Sequence, residues 1–116
     1  MELKEGMYVR TKDGDMFILD KIEDNHLIPR YVHIPYIIIE EDVIKASYNI
    51  IDLIEVGDYV NGKKVIDTFT DYIFDYSEDF KVIRFSETDI LHDVKHIKSI
   101  VTKEMFSNVE YRVETD

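Results

Sequence analysis

The 116-residue chain predicts a mainly β protein, and three observations carry that expectation. Val, Ile, Tyr and Phe are abundant while alanine occurs once, at Ala46, a composition that favours strands over helices. The apolar residues come in short runs bounded by Gly, Asp and Asn, the pattern of strands that end in tight turns. The phrase Gly-x-Tyr-Val occurs twice, at Gly6-Met7-Tyr8-Val9 and at Gly57-Asp58-Tyr59-Val60, each time just ahead of a Gly-containing turn.

The elements follow in order. Residues 7–12 and 16–22 flank Asp13-Gly14, a pair able to take the positive φ values that tight hairpins need, and they predict a first hairpin. A third strand is expected at 31–39, at a sheet edge or bulged near Pro35, because proline cannot donate to a ladder. Residues 58–60 and 63–68 flank Asn61-Gly62, a stronger two-residue turn signal, and predict a second hairpin. Further strands are expected at 71–76, 80–85 and 111–113, with a short helical turn at 103–108 capped by Thr102.

Aligning the two phrases pairs Leu3 with Ile54, Gly6 with Gly57, Tyr8 with Tyr59 and Val9 with Val60 at a constant offset of 51 residues, and Asp42 with Asp93 and Val43 with Val94 at the same offset. The repetition predicts two copies of one strongly bent β unit, in which Gly lets the chain turn sharply and Tyr and Val then alternate across a strand. Small SH3-like barrels begin in this way. The expected fold is two tandem SH3-like β-barrel units packed together, with short helical turns, over residues 1–46 and 47–116. Ile50, Ile51, Leu53 and Ile54 make the junction too apolar for a flexible linker, so the units are expected to share a core.

Composition narrows the function classes. Absence of cysteine removes disulfides, thiolate zinc sites and cysteine nucleophiles, and suits a reducing cytosol. The N-terminus shows no basic region followed by an apolar run, and the aliphatic run Ile37-Ile38-Ile39 is far short of the roughly 20 residues that span a bilayer. A net charge of −11 repels nucleic acid, and Lys63-Lys64, the longest basic cluster, sits at a turn. The acidic balance leaves two readings, solubility or a surface offered to a basic partner.

No catalytic signature is present. His92 and His96 are four residues apart with Asp89 nearby, but no third ligand is fixed by spacing and the Glu of the His-Glu-x-x-His zinc phrase is missing. There is no Gly-x-Ser-x-Gly, no phosphate-binding loop and no dinucleotide fingerprint. The expectation is a protein without enzymatic activity, metal or cofactor. The most distinctive segment is 67–80, with five acids, the aromatics Phe69, Tyr72, Phe74, Tyr76 and Phe80, and no Lys or Arg. Either its aromatics fill the core, or it forms an acidic edge with tyrosines suited to an arginine-rich groove. The second reading makes Asp71, Tyr72, Asp75, Tyr76, Glu78 and Asp79 the candidate partner-binding residues, with Glu40, Glu41 and Asp42 as a secondary set.

The segments IKASYNIIDLIEVGDYVNGKKV (44–65) and HIKSIVTKEMFSNVEYRVE (96–114), with the opening ELKEGMYVRTKDGD, resemble a family of small proteins encoded in phages and prophages of low-GC Gram-positive bacteria. The likeness covers roughly half of the chain and carries no active-site residues. It implies an accessory phage protein acting in the cytoplasm of the infected or lysogenic host, a setting in which inhibitors of host defence are common. Among these, anti-CRISPR proteins are often small, acidic and cofactor-free, and some imitate DNA to block a basic nucleic-acid groove. A structural or assembly accessory acting through self-association or particle attachment is the alternative.

Overall fold

The computed structural model describes residues 2–73 and 78–105. Three small antiparallel sheets account for its strands, and none closes into a barrel among the described residues. The first sheet comes from the N-terminal part of the chain. Strand β1 (Tyr8–Thr11) pairs with β2 (Met16–Glu23) around the Asp13-Gly14 turn, where Gly14 has φ +91°. A two-residue turn at Asp24-Asn25, both at positive φ, then returns the chain as β3 (His26–Arg30). A 3-10 turn at Glu40–Asp42 leads into β4 (Val43–Ser47), which pairs on the far side of β1 and completes the order β3-β2-β1-β4.

A second 3-10 turn (Ile50–Leu53), capped by the Asn49 side chain, connects to the remaining elements. Strands β5 (Tyr59–Val60) and β6 (Lys63–Lys64) flank Asn61-Gly62, whose φ values of 53° and 79° make the tight turn expected of that pair. Strand β10 (Ile100–Val101) adds to the other side of β5. The third sheet is a long hairpin of β7 (Asp67–Ile73) and β8 (Glu78–Arg84), extended by β9 (Ile90–Leu91). A third 3-10 turn (Val94–His96) follows β9, and residues 103–105 begin a helical turn after Thr102, whose Oγ1 accepts from the Met105 amide.

The strand expected at 31–39 is corrected. That segment forms no strand; β3 lies upstream and holds Pro29, opposite Leu19 at the edge of the sheet beside a bulge. The turn at Asp24-Asn25 begins β3 early, and Tyr31 at φ +68° ends it. The strand expected at 111–113 and residues 106–108 of the expected helical turn lie outside the described residues.

The two Gly phrases are hydrogen-bonded alike. Gly6 and Gly57 have φ +87° and +99°; Gly6 N donates to Leu19 O as Gly57 N does to Val65 O, and Leu19 N donates to Met7 O as Val65 N does to Asp58 O. The offset of 51 is lost further on. Asp42 closes its 3-10 turn whereas Asp93 caps the front of the corresponding one, so Val43 opens a strand and Val94 a turn.

Two apolar clusters result. Val9, Phe17, Leu19, Leu27 and Ile38 form the first, and Ile51, Ile54, Val60, Val65 and Ile83 the second, so the apolar junction feeds the second core. Between them lies Arg10, fully buried on β1. Its Nη1 and Nη2 donate to Asp58 Oδ2 and Oδ1 at 2.5 and 2.9 Å, Nη1 also reaches Leu53 O at 3.0 Å, and Nη2 reaches Glu104 Oε2 at 2.7 Å. Asp58, equally buried, also accepts from the amides of Glu55 (2.8 Å) and Lys103 (2.9 Å). Glu55 stands 3.6 Å from Arg10 Nε. Burial alone would push the Glu55 carboxyl up, but the hydrogen bond from Lys103 and the charges of Arg10 and Lys45 outweigh it and hold its pKa below the ordinary value.

Nearby, Thr102 Oγ1 donates to Gly14 O at 2.7 Å, and a Cβ on Gly14 would meet Thr102 Oγ1 at 2.4 Å and Glu104 Cβ at 2.8 Å. A Cβ on Gly62 would meet nothing within 4 Å.

Two outcomes follow. Arg10→Met or Asp58→Asn strands buried charge and is expected to cost about 3–5 kcal/mol, read as a lowered urea midpoint. The double variant is expected to lose less than the sum of the two. Gly62→Ala is expected to cost about 1–2 kcal/mol through its left-handed φ alone, and Gly14→Ala distinctly more because of the clash.

Candidate functional site

Strand β7 reads DTFTDYI and β8 reads EDFKVIR, and Thr, Phe, Tyr, Val and Ile supply the β propensity of both. Their register is continuous from Asp67↔Arg84 to Ile73↔Glu78. The base of the ribbon is anchored: Val82 and Ile83 are buried, and Lys81 Nζ donates to Ile54 O at 2.6 Å. Burial lowers the Lys81 pKa, and neighbouring Lys45 adds to that effect. Arg84 lies over the Phe69 ring, 5.0 Å from its centre. Asp67 at the base, and Asp71 and Asp79 further out along the ribbon, are exposed.

The candidate residues fall as follows. Asp71 and Tyr72 stand on β7, Glu78 and Asp79 on β8, and Tyr72 pairs across the ladder with Asp79. Asp75 and Tyr76 lie outside the described residues. Asp71 is opposite Phe80, the neighbour of Asp79, so strand alternation sets Asp71 and Asp79 on opposite faces of the ribbon. The acids therefore line both faces of one projection and do not form a single patch. The secondary set divides too. Glu40 and Glu41 are exposed, whereas Asp42 is committed to its turn, accepting from the Ile39 amide at 3.0 Å and pairing with Lys12 at 3.2 Å. The amide of Ile39, followed by Lys12, holds the Asp42 carboxyl below its ordinary pKa.

The histidine pair is not brought together as a metal site. His92 packs its ring against Phe80, with centres 5.2 Å apart, and Asp89 pairs with Lys63 at 2.8 Å. Among the described residues no group of three or more His, Asp or Glu is placed to hold a metal, and no helix is long and apolar enough to cross a membrane.

Sequence reasoning missed a recess between the two halves of the chain. Cavities of about 370, 240 and 220 Å³ meet at Met16, with Val32, Ile34, Ile50, Ile100 and Met105 among the linings. Beside it Tyr31 is 91% exposed. The run Tyr31-Val32-His33-Ile34 was the available signal, and its reading as strand hid it. Tyr36 donates to Asp15 close by, and that bond, with partial burial, pushes the tyrosine up to about 12.

No protein-family model, curated protein or solved structure matches the chain.

Because the Asp42 pKa is lowered from 3.8, its stabilising contribution is present above that unfolded-state value and lost as pH falls through the folded one. Asp42→Asn is therefore expected to lower the melting temperature at neutral pH and to flatten the acid side of the stability curve. Glu40→Gln with Glu41→Gln, both exposed, is expected to leave the melting temperature at neutral pH near wild type, as thermal melts will show.

Proposed function

We propose that the protein is a phage-encoded, protein-binding inhibitor of a bacterial defence system, acting in the host cytoplasm without enzymatic activity or cofactor. Its partner in this reading is a nucleic-acid-handling protein with a basic groove, a CRISPR effector nuclease being favoured, and the acidic β7–β8 ribbon enters that groove in place of DNA. The observation that carries the reading is exposed carboxylate on both faces of one ribbon, Asp71 on one and Asp79 on the other. Such a ribbon meets both walls of a cleft at once. A net charge of −11 adds long-range attraction to a basic partner and disfavours binding nucleic acid directly. The matching hydrogen bonds at Gly6 and Gly57 support two tandem SH3-like units as the scaffold.

A second reading, a structural or assembly accessory that self-associates or attaches to a particle, is favoured by one observation. Tyr31, Val32, Tyr36 and Ile37 are exposed together in the loop after β3. Light scattering of the purified protein tests self-association, which requires a defined oligomer, and incorporation into purified particles tests attachment; a monomer that is absent from particles overturns the accessory reading.

Replacing Asp71, Asp75 and Asp79 by Asn and Glu78 by Gln keeps side-chain size and removes four negative charges. With the fold checked by circular dichroism, the expected result is a slower association with a duplex-binding effector and a loss of salt dependence. Unchanged affinity would move the surface to Glu40, Glu41 and Asp42. An effector that retains full activity and forms no complex with the wild-type protein at low salt refutes the inhibitor reading.

A further inference from the structure

The end strand of the third sheet has properties that the acidic-surface reading does not use. Strand β7 is seven residues long, runs in unbroken register with β8, and has no strand beyond it among the described residues. Edge strands are ordinarily guarded by proline, lysine, a bulge or short length, because their outward backbone groups template further pairing. The other edges here carry such guards: β3 holds Pro29 and faces a bulge, β4 carries Lys45 and meets a register break, and β6, β9 and β10 have two residues each. β7 has no Pro, Lys or Arg and no bulge.

Its charges select against one occupant and for another. Asp67, Phe69 and Asp71 share a face by strand alternation. Two copies paired antiparallel about Phe69 would set Asp67 opposite Asp71 twice, and like charges directly opposed destabilise a ladder. A second copy is thereby disfavoured. A strand with Lys or Arg at two positions four apart, and an apolar residue between them, matches the same face in charge and in apolar contact.

We propose that the outer edge of β7 takes up an extended basic segment of a partner protein as an added strand, with the pattern basic-x-apolar-x-basic set against Asp67, Phe69 and Asp71. This rests on the reading of the ribbon as the partner-binding surface and adds its mode: backbone hydrogen bonds give affinity, and alternate side chains give specificity.

The test uses the full-length protein and the peptide acetyl-Thr-Lys-Thr-Val-Thr-Lys-Thr-amide, followed by amide chemical shifts up to millimolar peptide at low salt. Expected are shifts centred on β7 and slowed amide exchange there. Binding should weaken about tenfold or more when Gln replaces both Lys, and similarly for Asp67→Asn with Asp71→Asn. Two further peptides carry N-methyl groups on the odd or on the even residues. One set should abolish binding and the other should leave it, because only alternate amides face the edge. Equal binding by both methylated peptides would overturn strand addition and leave charge attraction, and with it the acidic-surface reading, standing. No binding by any Lys peptide, with Asp67 and Asp71 unperturbed, would sink both. Amides of β7 that already exchange slowly throughout in the free protein would show an edge already covered, and would overturn the strand-addition proposal alone.

Discussion

A guanidinium with no exposure to solvent, held by a carboxylate with none, joins the two halves of this chain. Taking either ion out of water costs several kcal/mol, and attraction offsets this only where the remaining hydrogen-bonding capacity is filled. Asp58 meets that condition with two donors from Arg10 and the amides of Glu55 and Lys103. Arginine is the residue for such a place, since its planar fork offers two parallel donors that lysine lacks. The two apolar clusters are small, and a core of that size alone supplies only a few kcal/mol. The ion cluster and the Gly14–Thr102 contact fix how the two meet.

Turn chemistry was the most legible part of the fold. Asp13-Gly14 and Asn61-Gly62 announce themselves because positive φ restricts the residue choice, and both are turns between paired strands. Asp24-Asn25 makes the same demand without glycine, and so was read through. The burial of Ile51, Leu53 and Ile54 followed from their density in a short stretch. Arg10 was not legible: a charged residue in an alternating strand reads as solvent-facing until its partner is known. The one hint was Asp58, which puts a carboxylate where the first phrase has Met7. For the candidate site, alternation within 71–76 was readable, but which β8 residue opposes Asp71 depends on where the hairpin turns. That register decides that Asp71 and Asp79 face apart.

The acidic residues are not one population. Asp42, Asp58 and Asp93 accept backbone amides within their own turns, Asp89 pairs with Lys63, and Asp20 pairs with Arg30. These organise the chain. The ribbon adds exposed carboxylates at Asp67, Asp71 and Asp79 in a segment without a basic residue from 67 to 80, which is why the net charge takes on a location as well as a magnitude.

The order in which the chain leaves the ribosome gives the buried arginine a history. Asp58 lies 48 residues beyond Arg10 and Glu104 lies 94 beyond it. At synthesis rates of about 5–20 residues per second, β1 waits about 5–20 seconds before its last carboxylate partner is made. Leu53 O and Asp58 can meet the guanidinium as soon as they emerge. The contacts that complete the cluster come last in the chain, since residues 100–104 supply β10, the Thr102 bond to Gly14, the Lys103 amide on Asp58 and the Glu104 carboxylate on Arg10.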